Sequence, residues 1–246
     1  LVGWKATKEP RHRRRRLKQV LLDLPEELGS RSGLEMAATP DGRLLVRTGS
    51  GLHILDRSMR VLQTMPDYYD GLMLAASDDS TFCCAEGHDD LPALRRISHD
   101  GTAAADYQLE GYNFLRGYPV LAPGGLLFCG MFDECGSVDE DEIIALDAQT
   151  MQLRHRFGQG LLDDVRQLAV VGDELYACDA YNDRLQVFSL TGEHRRSVTG
   201  EWRSPEHLCF AKDRLYLVER EHDRDDDAPL QGRRILVLSL QGDILQ

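Results

Sequence analysis

The sequence predicts an all-β fold, a β-propeller of four-stranded antiparallel blades. Three observations carry this. Its apolar runs are strand-length and bounded by turn residues. The pattern recurs about every 40 residues. Within each recurrence the first strand is the most apolar and the last the most polar. The stretch Phe157 to Trp202 shows all three, with QLAVV, Gly172-Asp173, ELYACD, the polar AYNDR, LQVFSL, Thr191-Gly192 and RRSV in succession. Such runs, rich in β-branched, aromatic and large aliphatic residues, suit a pleated and half-buried surface. One four-strand meander cannot bury both of its own faces, so it demands neighbours of the same kind.

The neighbours are present. First strands appear as LEMAATPDG, LMLAASDD, YPVLAPGG, VRQLAVVGD and PEHLCFAKD, with Met36, Leu74, Val120, Leu168 and Leu208 in one column. Second strands follow as RLLVRT, TFCCAE, LLFCGM, ELYACD and RLYLVE. Third strands align Leu55, Ile97, Leu146, Phe188 and Leu238. Weaker fourth strands close each unit. The blade motifs span about 34–66, 72–111, 118–158, 165–199 and 205–246.

The unit resembles the NHL repeat, a blade type of six-bladed propellers. Leu168-Ala169-Val170, Gly172-Asp173, Leu175-Tyr176, Asp179, Asn182-x-Arg184, Gln186-Val187-Phe188 and Gly192 carry the resemblance most fully. The last unit keeps Pro205, Leu208, Leu215-Tyr216, Ile235 and Gly242, with a long acidic insertion in place of the tight turn. The unit at 36–62 keeps only its entry and Asp41-Gly42, and those at 72–109 and 118–158 match by pattern alone. The resemblance implies a six-bladed ring and a substrate-recognition module of a larger protein. Leu1 in place of an initiator Met points to a fragment or processed form, and the chain stops inside a fourth strand. A six-bladed ring cut short is therefore expected over a five-bladed one. Residues 18–246 form the propeller, and KQVLLDLP (Lys18–Pro25) is either a short helix or a lone strand, the outer strand of the sixth blade.

Residues 1–17 read as a basic flexible segment around Arg13–Arg16, either a solvated linker or a nuclear-import or anion-binding patch. The net charge of −12 is therefore concentrated in the rest of the chain. Such a body repels nucleic acid and attracts basic partners or cations. No apolar run approaches the roughly 18 residues that span a bilayer, so no membrane role is expected. Cys84, Cys129 and Cys178 share one column of successive second strands, where thiols behave as small hydrophobes. Reduced cysteines predict an intracellular protein, cytoplasmic or nuclear. A Cys129–Cys135 bridge is the alternative for a secreted chain.

Three connections between second and third strands are long and acidic: 86–90, 132–142 and 219–231. Antiparallel blades should send all three to one side. The predicted partner-binding rim comprises Asp89, Asp90, Asp133, Glu134, Asp139, Glu140, Asp141, Asp223 and Asp225, with Tyr118, Arg166, Tyr181, Trp202 and His207 beside it. A rim of this sign steers a basic protein or peptide; the alternatives are mobile solvating insertions or calcium at Asp223-x-Asp225-x-Asp227. Asp179, Asn182 and Arg184 are expected to close a turn. His53, His99, His155 and His194 are expected to be exposed in or beside outer strands.

A metal-dependent hydrolase or lyase needs two or three ligands converging on the axis, and His207 has no second histidine in its column. No nucleophile elbow, Walker loop or zinc-protease motif occurs. RNA binding, which the resemblance also allows, wants a basic face. The sequence favours a non-catalytic, cofactor-free interaction module, acting as a monomer or within a larger chain.

Overall fold

A computed structural model describes residues 35–48, 50–65, 75–86, 92–100, 104–108, 118–131, 141–219 and 234–245. The first sheet holds β1 (Glu35–Ala38), β2 (Leu44–Thr48), β3 (Gly51–Leu55) and β4 (Val61–Met65). The second holds β5 (Ala75–Ala76), β6 (Ser80–Glu86), β7 (Pro92–Ser98) and β8 (Ala104–Gln108). The third holds β9 (Val120–Ala122), β10 (Leu126–Met131), β11 (Glu142–Asp147) and β12 (Leu153–Phe157). The fourth holds β13 (Val165–Val171), β14 (Glu174–Asp179), β15 (Arg184–Ser189) and β16 (His194–Thr199). In the fifth, β17 (Pro205–Ala211), β18 (Arg214–Glu219) and β19 (Ile235–Leu238) are followed by Ile244, bridged to Leu238 in the fourth-strand place. Every sheet is an antiparallel meander, and the five are the blades of a propeller ring, as the repeat pattern predicts.

The core lies between sheets. Leu45, Leu52 and Ile54 pack on Ala76 and Cys83 of the second sheet. Phe82 and Leu94 meet Leu127, Cys129, Met131 and Ile144 of the third. Phe128, Ile143 and Phe157 meet Val165, Leu168, Leu175 and Phe188 of the fourth. Tyr176, Cys178, Val187 and Trp202 meet Leu208, Leu215, Leu217 and Leu238 of the fifth. Middle strands are thus covered on both faces, and β10, β11, β14 and β15 are buried over five of six residues each. Outer strands β4, β12 and β16 are mostly exposed or half-buried, which matches their mixed composition.

The third-strand column also holds. Leu55, Leu146, Phe188 and Leu238 pair with Leu44, Leu127, Leu175 and Leu215 of their second strands. In three blades the register to the outer strand shifts at this column, between Ile54 and Leu55, Ala145 and Leu146, and Val187 and Phe188. A bulge there adds local twist and turns the outer strand away from its neighbour.

The Cys83, Cys129 and Cys178 side chains are buried. Desolvation pushes the Cys129 thiol up to about 12 and raises Cys178 as well. Two histidines depart from expectation. His53 is buried, with its ring nitrogens on Thr48 Oγ1 and Thr64 Oγ1, both at 3.0 Å. His99 is buried with Nε2 on Thr81 Oγ1 at 3.0 Å. Short polar residues in neighbouring strands let an imidazole replace an apolar core side chain, and burial lowers the pKa of both.

Candidate interaction face

The registers decide which ends of the blades meet. Val165 pairs with Asp179, Pro205 with Glu219 and Glu35 with Arg47, so each inner strand starts beside the end of its second strand. The connections after β6, β10, β14 and β18 therefore share one mouth with the inner-strand entries. Their stems are Glu86 and Pro92, Met131 and Glu142, Asp179 and Arg184, and Glu219 with Arg234 leading into β19. Asp89, Asp90, Asp133, Glu134, Asp139, Glu140, Asp223 and Asp225 lie outside the described residues, on connections that leave from these stems.

Carboxylates also build the joints of this mouth. The Asp179 carboxylate accepts from Asp163 N–H at 2.8 Å, Asn182 Nδ2 at 2.9 Å, Arg184 Nε at 2.7 Å and Gln186 Nε2 at 3.3 Å. Glu219, at the same place in the fifth sheet, accepts from Arg203 N–H at 3.0 Å and Arg234 Nε at 2.6 Å. One step further, the residue preceding a third strand clasps the next blade. Asp183 accepts the N–H of Ser204 at 2.6 Å, and Asp141 accepts those of Asp164 at 2.5 Å and Val165 at 3.3 Å. Asp164 and Ser204 each have positive φ, 60° and 41°, and stand immediately before an inner strand. The clasp holds this costly backbone conformation where the chain crosses between blades.

Asp141 is therefore a correction to the predicted rim. It is 3% exposed and serves the joint between the third and fourth blades. Burial raises its pKa to about 6, against the two backbone N–H bonds and with help from the nearby charges of Asp164 and Asp163. A raised folded pKa adds stability fully below the unfolded value near 3.8, and that contribution is lost as pH rises through about 6. Asp141→Asn keeps an acceptor without the charge. It should match or exceed the parent melting temperature at pH 7.5, with the advantage vanishing towards pH 4. A deficit at pH 7.5 that disappears towards pH 4 would show that the charge itself is required.

Trp202 is the second correction. It is 3% exposed, packed between the fourth and fifth sheets, and its Nε1 has no hydrogen-bond partner among the described residues. Gly200 makes the room, since a Cβ there would lie 1.9 Å from the indole. Arg166 sits at the mouth, with its guanidinium on Asp164 at 2.6 Å. Tyr181 lies in the short turn Ala180–Asn182 at the same mouth and is partly exposed.

Tyr118 and His207 do come together, their ring centroids 5.8 Å apart. They line a cavity of about 580 Å³ with Met36, Gln167, Tyr216 and Ile235. The lining comes from the entry ends of inner strands in four blades and from the face of β18 and β19 turned away from the fourth sheet, so the cavity lies beside the fifth sheet and reaches this mouth. Sequence reasoning missed Tyr216 and Ile235. The signal was the alternation of the fifth unit, where Cys209, Tyr216 and Ile235 share a face opposite Leu208, Leu217 and Leu236. Among the described residues no group of three His, Cys, Asp or Glu is arranged to hold a metal ion, and no helix is long and apolar enough to cross a membrane.

No protein-family model and no curated protein matches the chain. Solved structures do. A chain of the nidogen–laminin complex superposes with a TM-score of 0.64 at 15% identity, covering 87% of this chain and 78% of that one. A Bacteroides caccae protein of unknown function gives 0.62 at 14%, covering 87% and 81%. BamB from Moraxella catarrhalis gives 0.54 at 17%, covering 86% and 72%. Likeness at such low identity reports backbone architecture, and with five radial antiparallel sheets it establishes the β-propeller fold.

Proposed function

We propose that the protein is a non-catalytic interaction module of NHL type that binds a basic protein or peptide segment at the mouth described above. The observation that carries this reading is that the stems of the three acidic connections lie at the mouth that the cavity beside the fifth sheet also reaches. Acidic side chains around an aromatic-lined recess suit a Lys- or Arg-rich segment, with charge supplying the approach and the recess an anchor. Tyr118 and His207 are the anchor residues of this reading, with Tyr181 at its edge. The nidogen–laminin complex is an assembly in which a chain of this architecture occurs with a protein partner, which is compatible with such a role.

The test is binding to an array of basic 15-residue peptides. Replacing Asp133, Glu134, Asp139, Glu140, Asp223 and Asp225 by their amides, with Asp141 left intact, should weaken the best peptide at least about tenfold. The dependence of affinity on salt should flatten as well. Unchanged affinity and unchanged salt slope would mean that these connections only solvate the protein.

A further inference from the structure

The fourth and fifth sheets carry the same kind of face, covered in one and open in the other. In the fourth, Ala169 pairs with Tyr176 and Tyr176 with Val187, while Cys178 pairs with Leu185, so these five side chains share one face. All five are at most 5% exposed, packed with Leu208, Leu215, Leu217 and Leu236 of the fifth sheet. In the fifth, Cys209 pairs with Tyr216 and Tyr216 with Val237, while Val218 pairs with Ile235. The registers correspond one to one. Here, however, Cys209 is exposed, Tyr216, Val218 and Val237 are half-buried, and Ile235 is 70% exposed. An apolar surface of the kind that blades bury against one another therefore stands open, and Tyr216, Val218 and Ile235 belong both to it and to the cavity.

We infer that this face docks an extended segment of the partner, whose apolar side chains at alternate positions lie on Tyr216, Val218 and Ile235 next to its basic residues. The inference rests on the reading of the mouth as a peptide-binding site and names the motif that the site takes. Three features select the occupant. None of His207, Cys209, Tyr216, Val218, Ile235 and Val237 is a carboxylate, lysine or arginine, so a cationic side chain seated there would lose water without gaining a partner. The covered face in the fourth sheet shows what satisfies such a surface, namely leucines two residues apart on a strand, Leu215 with Leu217 and Leu236 with Leu238. Size excludes a second copy of the chain. Three strands, the longest of seven residues, present roughly 20 by 14 Å, or about 300 Å². A stable dimer needs about 800 Å² from each partner, whereas about six residues of extended chain fit this length.

Titration of the full chain with two synthetic peptides tests the inference. One peptide alternates leucine with serine and ends in a run of lysines; the other has serine in place of every leucine. The leucine peptide should bind at least about tenfold more tightly, the return from burying a leucine side chain. Ile235→Asn should remove most of that difference and leave the affinity of the serine peptide unchanged. Equal affinities, or a difference that Ile235→Asn does not touch, would overturn the inference while the basic-segment reading stands. A leucine peptide that binds as well after its lysines are replaced by serine would support the open face and overturn the basic-segment reading instead. Binding of neither peptide overturns both. Ile235→Asn should also leave the melting temperature of the free protein unchanged, as expected for an exposed side chain. A clear drop, or the dissociation of a dimer, would mean that the face is covered before any partner arrives, and that too overturns the proposal.

Discussion

Asp179→Ala is expected to lower the free energy of unfolding by about 3–5 kcal/mol, because it removes one partner from a buried ion pair and strips several donors of their acceptor. The Asp179 carboxylate is 0% exposed and receives the Asp163 N–H, Asn182, Arg184 and Gln186. Alanine leaves the Asp163 N–H and the Gln186 amide without that acceptor and frees a guanidinium that is otherwise tied at 2.7 Å. Asp179→Asn retains one oxygen for Asp163 and Asn182 but sets an NH2 donor where the other oxygen accepts from Arg184 and Gln186, so it should still cost roughly 1.5–3 kcal/mol. Denaturant midpoints at constant slope measure both. A cost below about 1 kcal/mol for the alanine variant would mean that the mouth of the fourth blade is held by packing alone.

The second large effect concerns the joint between the fourth and fifth blades. Trp202→Ala should cost about 3–5 kcal/mol, the range for emptying a large aromatic site in a core. Trp202 packs with Val198, Leu208 and Leu238, and the Gly242 turn also lies against its ring. Trp202→Phe should cost much less, since Nε1 makes no hydrogen bond among the described residues that phenylalanine would forfeit. Gly200→Ala forces a methyl into the indole and should cost about 1–3 kcal/mol by overpacking. In the Trp202→Ala background the same Gly200→Ala change should be nearly neutral. The cycle therefore predicts a coupling of about the full single-site cost. Additive costs would show that Gly200 is needed for its own backbone and not for the ring.

These two sites differ in how far the sequence foretold them. The Asp179, Asn182 and Arg184 spacing announced a closed turn because its partners are a few residues apart, and the turn is closed as expected. Trp202 stood at a blade entry beside Arg203, where an exposed contact residue and a buried wedge have the same sequence signature. What separates them is the neighbouring sheet, with Leu208 and Leu238 closing over the ring. Asp141 misled for the same reason. Its neighbours in sequence are acidic and read as one solvated insertion, but its hydrogen-bond partners, Asp164 and Val165, are more than twenty residues away. The buried His53 and His99 take their partners Thr48, Thr64 and Thr81 from neighbouring strands of their own sheets.

Strand length, turn chemistry and the recurrence near 40 residues were enough to determine the five meanders and their radial packing, because period-two patterning and tight turns act within a few residues of themselves. They also determined that the stems of the connections between second and third strands share one mouth, since antiparallel pairing leaves them no other placement. Tertiary structure alone decided which polar side chains are joints and which stay available. A carboxylate or an indole reads the same in sequence whether water or a neighbouring blade lies over it, and only packing between blades sets that environment.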